Sequence, residues 1–385
     1  MKNKKDIYQG FEQGPIRPPS ESQSLLIRFT RNCPWNKCLF CPVYKGEKFS
    51  LRSVENIIKD IDITCNYLNK IIENTENNKQ IDQNLINKIF NDSKNKDRTA
   101  FNAALNWYFT GMESIFIQDA NSLIMKPDNL IYVLKHMKKC FPMAKRITSY
   151  ARSHTIARIK PDIMKDIADA GLNRIHIGLE SGSDKVLDLI KKGCTQEMHI
   201  NAGLKVKNAG IELSEYIMPG LGGIDLSKDH ALETAKALNK INPDFIRIRT
   251  LAISPRTLLF EEYEQGRFKK SSDFMMVKEL KLLVENLNNI TSYIKSDHIL
   301  NLLEDVQGKM PEHKEKILRV ITDFLEMEPE KRVYYQVGKR MGVFRKTQDL
   351  SDITLLKKVK ETCKLYNITS NNIDSIIQEL MGRFV

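Results

Sequence analysis

Three of the chain's seven cysteines fall within nine residues, in the run Cys33-Pro34-Trp35-Asn36-Lys37-Cys38-Leu39-Phe40-Cys41-Pro42. On one short loop after a strand, three thiolates can each hold one iron of a cubane cluster. A closed zinc site wants a fourth ligand nearby, yet the next cysteine is Cys65 and the first histidine is His136. Three cysteines leave one iron of a cubane without a protein ligand, so a small molecule can chelate it. A buried trio of unreactive cysteines is a poor reading for a loop that contains Pro, Asn and Lys. Cys140, Cys194 and Cys363 are too far apart in sequence to mark a second cluster motif and are expected as buried small residues. An odd count with no apolar secretion signal at the start argues against a disulfide framework.

The elements around this loop follow from periodicity. Residues 1–23, with Pro15, Pro18 and Pro19, read as an extended N-terminal arm, and Leu25 to Thr30 as a strand ending at the cysteines. Ser53 can cap a helix whose apolar positions include Val54, Ile57, Ile58, Ile61 and Leu68. A helical insertion of about 66–112 follows, and its Asn- and Lys-rich part, 71–98, is expected at the surface with little core contact. Strands are then expected at 114–118, 147–151, 174–180, 212–218 and 244–251, with helices between them. Pro161 suits a first helical turn, and Gly171 and Gly210 are stop signals. Strands separated by helices pair in parallel, and six of them curl into an open barrel. Beyond about 267 strand signals cease, and 273–290, 297–304, 312–326 and 350–380 read as helices. The expected class is α/β, a partial (β/α)6 TIM-like barrel over 24–266 with a helical C-terminal region over 267–385.

The cysteine loop resembles that of the radical S-adenosylmethionine (radical SAM) superfamily. There, three closely spaced cysteines after the first barrel strand bind a 4Fe–4S cluster, and the methionyl amine and carboxylate of S-adenosyl-L-methionine take the open iron. The spacing here, C-x4-C-x2-C, has one residue more in its first gap than the commoner C-x3-C-x2-C. The resemblance extends over 24–256 through the strand ends. It implies that Phe40 packs beside adenine, and that Ile117-Gln118-Asp119-Ala120-Asn121 presents Asp119 and Asn121 toward the methionyl amine. Ser149-Tyr150-Ala151-Arg152 supplies further cofactor contacts from Ser149, Tyr150 and Arg152. Ile175-His176-Ile177-Gly178-Leu179-Glu180-Ser181-Gly182-Ser183 looks like the branch with tRNA methylthiotransferases and coproporphyrinogen-type enzymes, with Glu180 or Ser181 near the ribose or methionyl part. Lys192 stands where relatives often carry an Arg for the methionyl carboxylate, and Lys supplies the charge without the bidentate fork. Met218-Pro219-Gly220-Leu221-Gly222-Gly223 resembles the Gly-rich end of the fifth strand.

The implied activity is reductive cleavage of S-adenosyl-L-methionine to a 5′-deoxyadenosyl radical that acts on an unidentified substrate, with an electron donor such as flavodoxin or ferredoxin. The first step needs no general acid or base, so no catalytic side chain is named. Nothing near the start suggests cobalamin, and no methylthiotransferase-like second set of cysteines precedes Cys33.

Strand alternation puts Arg174, His176, Gly178 and Glu180 on one face and Ile175, Ile177 and Leu179 on the other. The apolar face belongs against helices, which turns the polar set inward, and likewise Arg247 and Arg249. Arginines and a histidine inside a barrel need carboxylate partners, with Glu180 and Glu215 available, or an anion on the substrate. His176, Arg247 and Arg249 are therefore the substrate candidates. Asp297 and His298, side by side, read either as a helix cap or as a further approach to substrate.

The 385 residues hold 41% hydrophobic and 28% charged side chains, which excludes wholesale disorder. No apolar run reaches the roughly 18 residues of a membrane span, so a cytoplasmic protein without membrane partners is expected. The net charge of +12 is scattered along the chain. It suits an anionic small molecule as well as nucleic acid. A non-catalytic iron–sulfur or zinc module that binds nucleic acid is the competing reading, and it leaves the barrel with its strand-end motifs unexplained.

Overall fold

The structure, a computed structural model, describes residues 6–75, 82–94 and 96–382. Its elements begin with β1 (Leu25–Arg28), β2 (Thr30–Arg31), β3 (Ser50–Leu51), α1 (Val54–Thr75), α2 (Gln83–Asn91), α3 (Arg98–Phe109), β4 (Ser114–Gln118) and α4 (Pro127–Cys140). Next come β5 (Arg146–Ala151), α5 (Ser153–Ile156), α6 (Pro161–Asp169), β6 (Arg174–Glu180), α7 (Asp184–Leu189), α8 (Gln196–Asn208) and β7 (Glu212–Ile217). Then follow α9 (Ser227–Ile241), β8 (Phe245–Ile248), α10 (Leu258–Glu264), α11 (Asp273–Glu285), β9 (Tyr293–Lys295) and β10 (Gly308–Lys309). Four helices end the series: α12 (Lys314–Leu325), α13 (Pro329–Arg340), α14 (Ile353–Leu365) and α15 (Ile373–Gly382). The class is α/β, with a mostly parallel sheet of the partial TIM-like kind and C-terminal helices.

Two compact units divide the chain. One comprises Met1–Pro34, Gly46–His176 and Lys205–Glu212; the other comprises Trp35–Lys45, Ile177–Leu204 and Leu213–Val385. In the first unit β1 pairs in parallel with β4, Ile27 opposite Ile117, and β4 with β5, Ile115 opposite Ile147. These isoleucines are buried, as are Ile57, Ile61, Leu68 and Ile71 on the apolar stripe of α1. Ser53 caps α1 as expected, its Oγ accepting from the Asn56 N–H at 3.2 Å.

Two expectations for this unit need correction. The residues read as an arm pack closely: Phe11 and Glu21 are buried, and Gln118 bonds the backbone of Gly14 and Ile16. The described part of the insertion has a core of its own. Ile89 and Phe90 are buried, and the Phe90 ring lies 6.3 Å from Tyr67 and 5.4 Å from Phe101. Composition hid an amphipathic helix, because Ile86, Ile89 and Phe90 fall on one side of α2. Residues 76–81 and 95, which belong to the same expected insertion, lie outside the described residues.

In the second unit β7 pairs in parallel with β8, Glu215 opposite Ile246, and β8 with β9, Ile246 opposite Ile294. Strands therefore do not cease at 267, since β9 extends the parallel set and pairs antiparallel with β10. Nor is 297–304 a helix. Asn301 spends its amide on the Ile248 carbonyl and the Thr250 N–H, and Ser296 Oγ donates to the Leu303 carbonyl. Buried Leu300, Leu302 and Leu303 are thus placed by a loop that those polar groups tie to the end of β8. Helix α13 had no expected counterpart, and 350–380 holds two helices, α14 and α15.

Candidate active site

The turn from Cys38 to Cys41 is closed by the Cys41 N–H donating to the Cys38 carbonyl at 3.5 Å. Between them Leu39 is the anchor. Its N–H donates to the Ile190 carbonyl at 2.9 Å, and its own carbonyl accepts from the Leu259 N–H at 3.0 Å. Its side chain is buried with Val186, Ile190, Met218 and Leu251. Trp35 adds a second tie, donating from its indole to the Lys191 carbonyl at 2.7 Å. The turn is thereby fixed to the end of α7 and the residues after it. Cys38 and Cys41 are half-buried.

The same anchoring collects three of the expected cofactor residues. Lys192 Nζ lies 5.7 Å from the centre of the Phe40 ring and 2.9 Å from Glu180 Oε1. Burial works against the Lys192 charge, but Glu180, Cys38 and Cys194 hold its pKa above the ordinary lysine value. Glu180 ends β6 at φ 62°, a left-handed conformation that a non-glycine residue adopts at a cost and that turns its carboxylate back along the strand. Gly178 makes room for the pair: a Cβ there would sit 2.1 Å from Glu180 Oε1 and 3.0 Å from Lys192 Nζ. Glu215 on β7 is fully buried near both, and neither of its oxygens has a hydrogen-bond partner among the described residues. Burial pushes its carboxyl well above the usual range, against the pull of Lys192.

Ser181, the other candidate at this strand end, is engaged within the protein. Its Oγ lies 2.7 Å from His230 Nδ1 and accepts from the Ser183 N–H. His230 Nε2 lies 3.1 Å from the Met218 carbonyl and 3.6 Å from Glu279, whose Oε1 accepts from the Gly220 N–H at 2.7 Å. This network fixes the Gly-rich turn after β7. Sequence reading missed His230 and Glu279, and no spacing signal marks them, because they come from α9 and α11.

The two arginines at β8 part company. Arg247 is buried and paired, with Nη1 2.9 Å from Asp297 Oδ2 and Nε donating to Ser214 Oγ. Its neutralising carboxylate is Asp297, in place of the Glu180 or Glu215 that alternation offered. Arg249 is half-buried and has no salt bridge among the described residues. It lines a small cleft with Phe40, Met218, Leu251 and Leu300. His298 stands close enough that burial and the Arg249 charge lower its pKa to about 4.

In the first unit Cys33 is half-buried, two residues beyond β2. Asn32, at φ 66°, turns the chain into the cysteine loop, and its N–H donates to Asp119 Oδ2 at 3.1 Å. Asp119 also pairs with Arg28 at 2.6 Å, and its Oδ1 occupies the space where a Cβ of Gly14 would be. Asn121 Oδ1 accepts from the Arg152 N–H at 3.0 Å, which fixes the end of β4 to the end of β5. Ser149 is buried and donates to the Tyr150 carbonyl; the Tyr150 ring packs 5.2 Å from Phe116 and 5.6 Å from His176. His176 is fully buried, with Nε2 3.4 Å from Glu21 Oε1.

Among the other cysteines only Cys363 is the buried small residue expected. Cys140 and Cys194 are half-buried and face histidines, Cys194 Sγ lying 3.1 Å from His199 Nε2.

The chain is thus an α/β protein of mostly parallel strands that carries three cysteines in the segment after its first strands. Residues 101–236 match the Radical SAM superfamily. Members of that superfamily are enzymes whose cofactors are a 4Fe–4S cluster and S-adenosyl-L-methionine. The donor set fits them, with three thiol side chains and, on the anchored turn, an aromatic ring beside a lysine–glutamate pair.

Among curated relatives, the chain is 28% identical over 100 residues to the tRNA uridine(34) acetyltransferase of Methanocaldococcus jannaschii, covering 26% of this chain and 18% of that protein. It is 24% identical over 254 residues to the heme chaperone HemW of Buchnera aphidicola, covering 60% and 66%. Among solved structures, the Methanocaldococcus infernus Elp3 with an N-terminal deletion aligns at 18% identity and TM-score 0.41, over 58% of each chain. The chain spans only about a fifth to a quarter of the length of the acetyltransferases it matches.

No helix among the described residues is long and apolar enough to cross a membrane.

Proposed function

We propose that this chain is a radical SAM enzyme that cleaves S-adenosyl-L-methionine reductively and acts on an anionic substrate. When bound, the cluster and S-adenosyl-L-methionine supply a one-electron cleavage that yields a 5′-deoxyadenosyl radical. Cys33, Cys38 and Cys41 would hold three irons. Phe40 offers its ring to adenine, and the Glu180–Lys192 pair, beside the cysteine turn, offers one charge of each sign to the amine and carboxylate of the methionyl group. Asp119 and Asn121 serve the strand end by fixing Asn32 and Arg152, and the carboxylate contact to substrate falls to Arg249 rather than to Arg247 or His176, both of which have acidic neighbours. The observation that carries this reading is the anchoring of Leu39, which puts Cys38, Phe40, Lys192 and Glu180 in one neighbourhood. A cytoplasmic setting and a flavodoxin- or ferredoxin-type reductant go with it.

The test is anaerobic reconstitution followed by iron analysis and detection of 5′-deoxyadenosine. About four irons per chain are expected, with cluster and product both lost on replacing Cys33, Cys38 or Cys41 by Ala and the cluster kept on replacing Cys194 or Cys363. Stoichiometric zinc on the loop cysteines, without iron, would reduce the protein to a binding module. Arg249→Met should keep the fold and the cluster but weaken turnover with substrate.

A further inference from the structure

Two helices of the first unit carry ligand-type side chains that nothing above uses. Asp62 and Cys65 are three residues apart on α1, and His136 and Cys140 are four apart on α4. Those spacings put each pair on one side of its helix, and α1 packs against α4. The side chains meet there. His136 Nε2 lies 2.6 Å from Asp62 Oδ1, and Cys140 Sγ lies 3.5 Å from His136 Nε2 and 3.9 Å from Asp62 Oδ1. All three ligand atoms fall within 4.8 Å of one another. Cys65, one turn along α1 from Asp62, donates its thiol to the Cys140 carbonyl at 3.3 Å, and its sulfur lies outside that group of three.

We propose that Asp62, Cys65, His136 and Cys140 form a structural zinc site that clasps α1 to α4. At zinc–ligand bonds of about 2.0 to 2.3 Å, tetrahedral ligands stand about 3.3 to 3.8 Å apart. Two of the three separations are already near that range, and the His136–Asp62 hydrogen bond opens by roughly 0.7 Å to reach it. Two thiols, an imidazole and one carboxylate are too soft a set for magnesium or calcium and suit zinc. Asp62, His136 and Cys140 already stand together, and Cys65 reaches the fourth position by turning its side chain, which closes the coordination sphere and makes the site structural rather than catalytic. Zinc binds thiolates, so uptake releases the thiol protons to solvent and weakens as pH falls. The site shares no ligand with the loop of Cys33, Cys38 and Cys41, so it stands or falls independently of the radical SAM reading.

The experiment titrates cobalt(II) into the full chain with its cluster reconstituted, anaerobically, and competes it with zinc(II). One equivalent of cobalt should bind with thiolate charge-transfer and tetrahedral visible bands, be displaced by one equivalent of zinc, and leave the iron content unchanged. Cys140→Ser and His136→Ala should abolish the bands. Asp62→Asn, whose side chain is about half exposed, should keep the fold and weaken cobalt affinity at least tenfold. Triple replacement of Cys33, Cys38 and Cys41 by Ala should leave the bands in place. The site is overturned if the full chain takes up no cobalt, if uptake follows the loop cysteines, if Asp62→Asn binds as tightly as the parent, or if the anaerobic protein carries a Cys65–Cys140 disulfide by mass spectrometry.

Discussion

Glu180, Lys192 and Glu215 show how much of the site a single residue can reveal. The first two were legible as strand-end and post-helix positions, through their place relative to the cysteine motif. Their mutual pairing was not, because twelve residues of sequence separate them and only the left-handed turn at Glu180 folds one onto the other. Alternation offered Glu215 as a partner for arginine, yet it lies near Lys192 with its oxygens unbonded among the described residues. Burial outweighs the lysine and raises its folded-state pKa well above 4.5. A carboxyl raised in this way binds its proton more tightly folded than unfolded. Its contribution to stability is full below the unfolded value and is lost as pH rises through the folded one. Glu215→Gln keeps the shape and removes the titration. The parent should lose stability as pH rises above 4.5 and the variant should lack that decline, read as urea midpoints across that range. Parallel pH profiles for the two proteins would mean that Glu215 is solvated or paired after all.

At the level of elements, periodicity located β1 and β4 to β8 and most of the helices between them, because one buried face imposes period two on strands and a stripe on helices. It failed where polar side chains rather than repeats decide the path. Leu300, Leu302 and Leu303 look helical in sequence, but Asn301 and Ser296 hold them as a loop whose hydrogen bonds end β8. The cysteine turn is a similar case, since it has no period at all and is held by the backbone and buried side chain of Leu39 and by the Trp35 indole. Leu39→Ala removes the side-chain part of that anchor from a cluster containing Ile190, Met218 and Leu251. A loss of about 2 to 4 kcal/mol is expected for a buried leucine. The turn should also wander from Lys192, so iron retention on dilution should fall well before secondary structure does. Stability lost with iron retention unchanged would show that Cys38 and Cys41 are held by something other than Leu39.

Across the whole chain, the segment least legible was the one before the first strand. Its prolines and polar residues read as an arm, whereas it supplies carboxylates to the first unit. Asp6 and Glu12 both pair with Arg31, at 2.8 and 2.5 Å, and Glu21 meets His176 and Arg146. Composition could not show this, because the partners lie up to 155 residues away. Burial raises all three carboxyls, but the hydrogen bonds and charges of Arg31, Arg52, His176 and Ser24 overcome it and leave each below its ordinary value. Depressed carboxyls stabilise above the unfolded pKa, and that stability is lost as pH falls through the folded one. Deleting residues 1–22 strips Arg31 and His176 of these partners and leaves Gln118 without its backbone contacts. Breaking one buried pair costs about 3 kcal/mol, which corresponds to a fall of about 6 to 12 °C in Tm for a unit of this size. Calorimetry of the deletion variant at pH 7 should show at least that drop. As pH falls from about 4 through the depressed folded values, the parent progressively loses the same carboxylate contribution, and the gap between the two proteins should narrow. A gap that stays constant with pH would assign the arm's contribution to Phe11 and its apolar packing instead of to its charges, and no gap at all would make the segment a passenger.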